Sequence, residues 1–468
     1  MKQKLALFTE FANALYPHEV GYLMEHNQIT DPENLLILQR IHFNCNHPNN
    51  QKEYDETLDK RKYSNLKKWI EKKLAEKDVD QYFDWITALE KKILTDSIHP
   101  DEEKQLIRHL KHVSLQHYHF TRLYETVQHF RDYLLIRMRI TYYKPVSEFL
   151  DNYRRYYRNS AEVQNVLNDA TYDIISQHGT AKHESGQWIN YLIEIFRDES
   201  LDAYTRYRAV VRLMYVYYNY RRFDELKNIT LELEKTLYSP QFYSKRILAN
   251  YYANRSMMHQ KRMELDEAEE FGYLSIRQVN NDYLFYINNL CGILIKRHKY
   301  AVALKMMQSS MPYLKHTNSL FNRIGFVSLY IKLLIFNGKS KQAASYAETF
   351  RETYRKEIFS HRWHLFFEAY LLALLRIGKN RQILTLVRRN DLLQKELKEY
   401  GQKNILAVIH SFYWVAAYLE TEIGEQELEQ NLFEIFNHTF DDQSLTFKKQ
   451  ELLNELSEYV PATIKKIS

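Results

Sequence analysis

Glycine and proline are scarce in this 468-residue chain, ten and eight residues, or about 4% together, against roughly 12% in an average globular protein. No glycine occurs between Gly21 and Gly179. Tight hairpin turns need residues that accept positive φ, so this argues against antiparallel sheets. It also removes glycine-cradled phosphate loops from a third of the chain. The prolines mark helix boundaries: Pro32 follows Asp31, Pro100 precedes Asp101, Pro145 precedes Val146 and Pro240 follows Ser239. Proline suits a first helical turn, where its missing N–H breaks no bond. The expectation is an all-α protein.

Cysteine is nearly absent as well. Cys45 and Cys291 lie far apart, which argues against a disulfide framework and fits a reducing, cytoplasmic setting. No long apolar run is present. The N-terminus has an apolar stretch of only four residues before Thr9 and Glu10, too short for a signal-peptide core. The segment Ala407–Leu419 is broken by His410 and Ser411 and is too short to span a bilayer. Neither a leader nor membrane attachment is expected. Sixty-five basic residues against 59 acidic ones leave a net charge of +6, which permits an acidic partner or nucleic acid without requiring either.

The chain has a cadence. The blocks Phe223-Asp-Glu-Leu226, Leu265-Asp-Glu-Ala268, Tyr300-Ala-Val-Ala303, Ser340-Lys-Gln-Ala343 and Asn380-Arg-Gln-Ile383 end 42, 35, 40 and 40 positions apart. Each follows one amphipathic run and opens another, so the unit reads as a helix pair. Repeats on this period bury their apolar faces by stacking on neighbours, as in a solenoid. The spacing predicts pairs at 203–220 with 223–237, 242–259 with 264–279, 282–297 with 300–316, 319–336 with 340–355, and 362–377 with 380–397. A more divergent sixth pair is expected at 403–422 with 425–438. Segment 441–468 is expected to hold a C-terminal capping helix, near 447–459, and a tail. Residues 1–178 read as helical without a clean repeat, residues 179–202 as a loop and linking helix, and residues 203–440 as the repeats. The glycine-containing run Gln177–Gly186 is the expected break between halves.

Within the repeats, Ser256, Ala268 and Ser275 stand at one set of small positions, and Cys291, Ala303 and Ser310 at the next. Small residues there let two helices cross closely, where a larger side chain would cost roughly 1–3 kcal/mol. Asn254 and Asn289-Leu290 precede the first small site. This pattern resembles the tetratricopeptide repeat. Neighbouring blocks depart from it, with Ile331 and Phe350 around Ala343, and Leu226 or Ile383 in the alanine place. The resemblance implies a right-handed α-α superhelix that binds other proteins along a concave groove lined by first helices. Tyr251, Asn254, Arg255, Asn288 and Arg323 are the expected lining, because they can grip a peptide's backbone and carboxylates.

Other clusters suit chemistry less well. His109, His112, His117 and His119, with His129 nearby, lack a completing cysteine or carboxylate at a familiar metal-ligand spacing. His361 and His364, and the trio His42, Cys45 and His47, are equally incomplete. The run Tyr153–Arg158 puts Arg154, Arg155, Tyr157 and Arg158 on one side of a helix. Guanidinium groups beside an aromatic ring can bind phosphate or an acidic partner and stack on bases. The plainer reading is an amphipathic helix with snorkelling arginines. Tyrosine is abundant, at 38 residues. Walker-type loops, dinucleotide fingerprints and nucleophile elbows are all missing. The expectation is therefore a non-enzymatic scaffold or adaptor without cofactor or metal, binding a protein or peptide. The alternatives are a nucleic-acid-binding helical repeat or a regulatory, sensor-like subunit.

Overall fold

The protein is described here from a computed structural model covering residues 5–47, 50–176, 184–403, 406–437 and 443–467. These residues form twenty-five α-helices, two short 3-10 turns and no strand. The all-α expectation holds. Most of the expected Gln177–Gly186 break, and the start of the 441–468 segment, lie outside the described residues.

The chain divides into two compact units, one running to Leu248 and the other starting at Ala249. The first contains α1 (Ala6–Asn13), α2 (Pro17–Glu25), α3 (Pro32–Asn46), α4 (Lys60–Ala75), α5 (Val79–Leu94), α6 (Pro100–Leu110), α7 (Phe120–Ile136), α8 (Ile140–Ser176), α9 (Ile189–Arg197), α10 (Ala203–Asn219) and α11 (Phe223–Leu237), and the first turn of α12 (Lys245–Lys261). The second contains the rest of α12, then α13 (Leu265–Ser275), α14 (Tyr283–Lys296), α15 (Tyr300–His316), α16 (Leu320–Phe336), α17 (Ser340–Thr353), α18 (Arg355–Ser360), α19 (Trp363–Arg376), α20 (Asn380–Arg389), α21 (Leu392–Lys403), α22 (Val408–Leu419), α23 (Glu425–Phe436), α24 (Gln443–Ser457) and α25 (Pro461–Ile467).

Local chemistry explains several starts. The Asp31 carboxylate accepts hydrogen bonds from the backbone N–H groups of Glu33 and Asn34, capping α3, and Asp202 does the same for Thr205 in α10. Such caps satisfy donors that the first helical turn leaves open. Pro145 behaves differently from the expectation. Helix α8 begins at Ile140 and carries Pro145 in its second turn. The missing N–H leaves the carbonyl of Thr141 without its helical donor, at a residue exposed to solvent.

In the second unit the first helices of successive pairs pack side by side, α14 on α16, α16 on α19 and α19 on α22. The second helices α15, α17 and α20 close their respective pairs. The small residues stand where the helices cross. Ser256 Oγ donates to the Ala268 carbonyl at 2.7 Å, and Cys291 Sγ to the Ala303 carbonyl at 3.8 Å. Ser256, Ala268, Cys291 and Ala303 are all fully buried. The expected helix 380–397 is broken instead into α20 and α21, with Asp391 in the left-handed region at φ 53°.

Each hairpin turns the same way. Arg221, Met263, His298, Gly338, Gly378 and Thr421 all have positive φ, between 56° and 73°. The residue after each donates back five positions, as Lys299 does to the Leu294 carbonyl at 2.9 Å and Lys339 to Leu334 at 2.8 Å. This is the Schellman closure, which satisfies carbonyls that a helix end leaves open. Asp96 and Met138, in the part of the chain without a readable repeat, make the same closure through Ser97 to Lys92 and Arg139 to Leu134. The 42 positions between them match the later spacing.

Candidate interaction groove

The turn residues set the phase of each first helix. Two positions before Met263, His298 and Gly378 stand Lys261, Lys296 and Arg376, with Phe336 in the same place before Gly338. One helical turn earlier come Gly292 on α14, Lys332 on α16 and Leu372 on α19. Residues spaced by three and four share one face of a helix. Because these helices lie side by side, the face becomes a continuous groove lined by Ile295, Lys296, Leu329, Lys332, Phe336, Glu368, Leu372 and Phe412.

Helix α24 lies across this groove. Lys296 Nζ donates to Ser444 Oγ at 2.8 Å. Lys448 pairs with one oxygen of Glu368 at 2.7 Å, and Lys332 pairs with the other at 2.5 Å. Arg376 pairs with Glu455 at 2.7 Å and with Glu458. The direct partners lie on α14 and α19, and Lys332 of the intervening α16 joins through Glu368, so α24 reaches across three successive pairs. Leu452, Leu453 and Leu456 are buried and join the core of the unit. Helix α25 packs on α23, where Lys466 bonds Glu429 at 2.7 Å. The chain beyond α24 is thereby anchored separately.

Charge balance differs along the groove. Burial raises the Glu368 carboxyl, but Lys332, Lys448 and His364 outweigh it and hold the group well below the usual carboxylate range. Glu451 is different. Burial raises its pKa although Lys332, Lys296, His298 and Lys448 all oppose the shift. Glu455 is also raised by burial, against Arg376, and its Oε1 is buried without a hydrogen bond. Under α24 remains a cavity of about 540 Å³ with Glu451, Lys296, Tyr300, Phe336 and Phe412 among its walls.

Beside the groove, the fully buried Glu396 carboxylate ties α21 to α19 and α22. It accepts from the Ile409 and His410 backbone N–H groups at 3.0 and 2.9 Å, from His410 Nδ1 at 2.6 Å and from His364 Nε2 at 2.7 Å. Burial pushes its pKa up, but the histidines and amides overcome this and bring it down to about 2.

The residues singled out from sequence are placed as follows. Asn288 is buried on α14, and its Nδ2 donates to the Asn322 carbonyl of α16 at 3.0 Å, bridging neighbouring first helices. Arg255 sits over the Phe271 ring of α13 at 4.0 Å and donates to the hydroxyl of buried Tyr251. Asn254 bonds back to the Asn250 carbonyl. Arg323 bonds the Thr317 carbonyl at 2.8 Å and faces the Tyr354 ring. The lysines, Arg376, Glu368 and α24 carry no sequence motif, although their phase relative to the turns marks them once the turns are known.

In the first unit, Arg154 pairs with Asp151 at 2.7 Å. Tyr157 stacks on Tyr124 with ring centroids 4.3 Å apart. Arg155 and Arg158 remain exposed. His109 Nε2 meets the Tyr82 hydroxyl at 2.6 Å, and His117 lies against the Tyr82 ring at 4.0 Å. Burial takes the His117 pKa down to about 3 and that of His119 to about 4. Cys45 Sγ donates to the Leu15 carbonyl, and His47 stacks on Phe43. Among the described residues, no group of three or more His, Cys, Asp or Glu is arranged to hold a metal. None of the described helices is long and apolar enough to cross a membrane. Compared with protein-family models, curated proteins and solved structures, the chain matches none.

Proposed function

We propose that this chain is a protein-interaction scaffold, that its second unit is a tetratricopeptide-like stack, and that it engages a partner protein or peptide through the face of its first helices. The observation that carries the reading is α24 itself, because the groove already holds a helix by ion pairs and buried leucines. Helix-in-groove recognition uses such a combination of apolar anchors and flanking charges. The spacing of small residues at the crossings supports the family likeness. The two buried free thiols fit a cytoplasmic setting.

A photo-crosslinking amino acid tests the reading. Placed at Leu329 on the groove, it should capture a discrete partner in cells, and placed at exposed Lys341 on α17 it should not. Equal capture from both positions, or none from either, contradicts a groove-directed scaffold.

A further inference from the structure

We propose that α24 is a built-in occupant of the groove, and that the partner is an acidic amphipathic helix that displaces it. This rests on the scaffold reading above and names the partner's chemistry. Lys296, Lys332 and Arg376 are among the basic side chains on the groove; α24 pairs Glu455 and Glu458 with Arg376 and sets Glu451 within the field of the two lysines. Those carboxylates recur at spacings of four and three, so they share one helical face. Leu452 and Leu456 run beside them and are buried. A competing helix needs the same order: carboxylates along one stripe and aliphatic residues one position further on.

Two features show that α24 fills the groove incompletely. A pocket of about 540 Å³, partly open to solvent, remains between it and the groove wall. Glu451 lines that pocket, and the buried Glu455 Oε1 and Arg376 Nε have no hydrogen-bond partner. A helix with an aromatic residue at the Leu452 position and a carboxylate reaching Lys296 or Lys332 would fill that pocket more completely. The tether strengthens the cis occupant through high effective concentration. A free helix therefore binds weakly until α24 is loosened.

The test uses the full chain and a fluorescent synthetic peptide copying residues 441–460. Glu455→Lys with Glu458→Lys sets two cations against Arg376. This should lower hydrogen-exchange protection of α24 at least tenfold, leave α16 and α19 unchanged, and tighten peptide binding at least tenfold over wild type. Glu458→Ala, an exposed and fold-neutral change, should move both readouts in the same direction by a smaller factor. Unchanged α24 protection in the double variant overturns the proposed latch. A loosened α24 with no gain in peptide binding overturns the competition. In either case, groove-specific photo-crosslinking from Leu329 would leave the scaffold reading standing, and loss of that crosslink would remove both.

Discussion

Replacing Glu396 by glutamine removes one negative charge from a site that four donors converge on. The carboxyl titrates near 2 in the folded protein instead of its ordinary 4.5. A depression of that size corresponds to about 3 kcal/mol of stability, at 1.36 kcal/mol per unit. The sign follows from the direction of the shift. A lowered carboxylate pKa contributes fully above 4.5 and loses its contribution as pH falls from 4.5 towards 2. At pH 7, Glu396→Gln should therefore free α22 from α21 and α19 about a hundredfold more often. Hydrogen exchange of the α22 amides from Phe412 to Tyr418 reads that opening directly. The difference between the two proteins should shrink by about 1 kcal/mol between pH 7 and pH 3.5, because wild-type Glu396 is then losing its charge advantage. A change below twofold at pH 7, or a difference that does not vary with pH, refutes the reasoning.

Other outcomes follow from the same structure. Gly338→Ala and Gly378→Ala should each cost roughly 1 kcal/mol, because φ is +73° and +70° and a new Cβ meets nothing within 4 Å; neutral thermal scans would contradict the turn assignment. Met138→Gly should gain about 0.5–1 kcal/mol by the same argument, since Met138 is exposed at φ 53°. Cys291→Leu should cost about 1–3 kcal/mol in denaturant titration, as the Ala303 backbone lies against the thiol. His117 is held neutral, with its pKa lowered from 6.5 to about 3. Its burial carries no protonation penalty above 6.5, where both states are neutral, and destabilises the fold increasingly as pH falls from 6.5 towards 3. Its cost should reach about 2 kcal/mol at pH 5, and His117→Phe should blunt the acid sensitivity of the first unit. For the nucleic-acid alternative, Arg155→Ala with Arg158→Ala should flatten the salt dependence of any mobility shift; a shift unaffected by this pair removes that face from consideration.

The helix pairs were readable because close crossings demand small residues, and Ser256, Ala268, Cys291 and Ala303 answer that demand at a fixed spacing. The turns were not. Gly338 and Gly378 announce a left-handed residue, but Arg221, Met263, His298 and Thr421 occupy the same conformation without glycine. The same disguise at Asp96 and Met138 conceals the turn cadence in the N-terminal half. The groove was hidden for another reason. Residue type marks Tyr251 and Arg255, whereas the side chains under α24 are marked only by helical phase, which those unreadable turns set. Helix α24 reads as an ordinary amphipathic end segment, because its partners Lys296, Glu368 and Arg376 lie some 80 to 150 positions away.

Amine-to-amine crosslinking of the intact protein, read by mass spectrometry, tests the position of α24 most directly. Lys448 and Lys332 bind the two oxygens of one Glu368 carboxylate, so a short reagent should join peptides containing these two lysines in high yield. Recovery of Lys448 joined only to Lys449 or to residues of α25, with no link to α16, would contradict a helix lying across the groove.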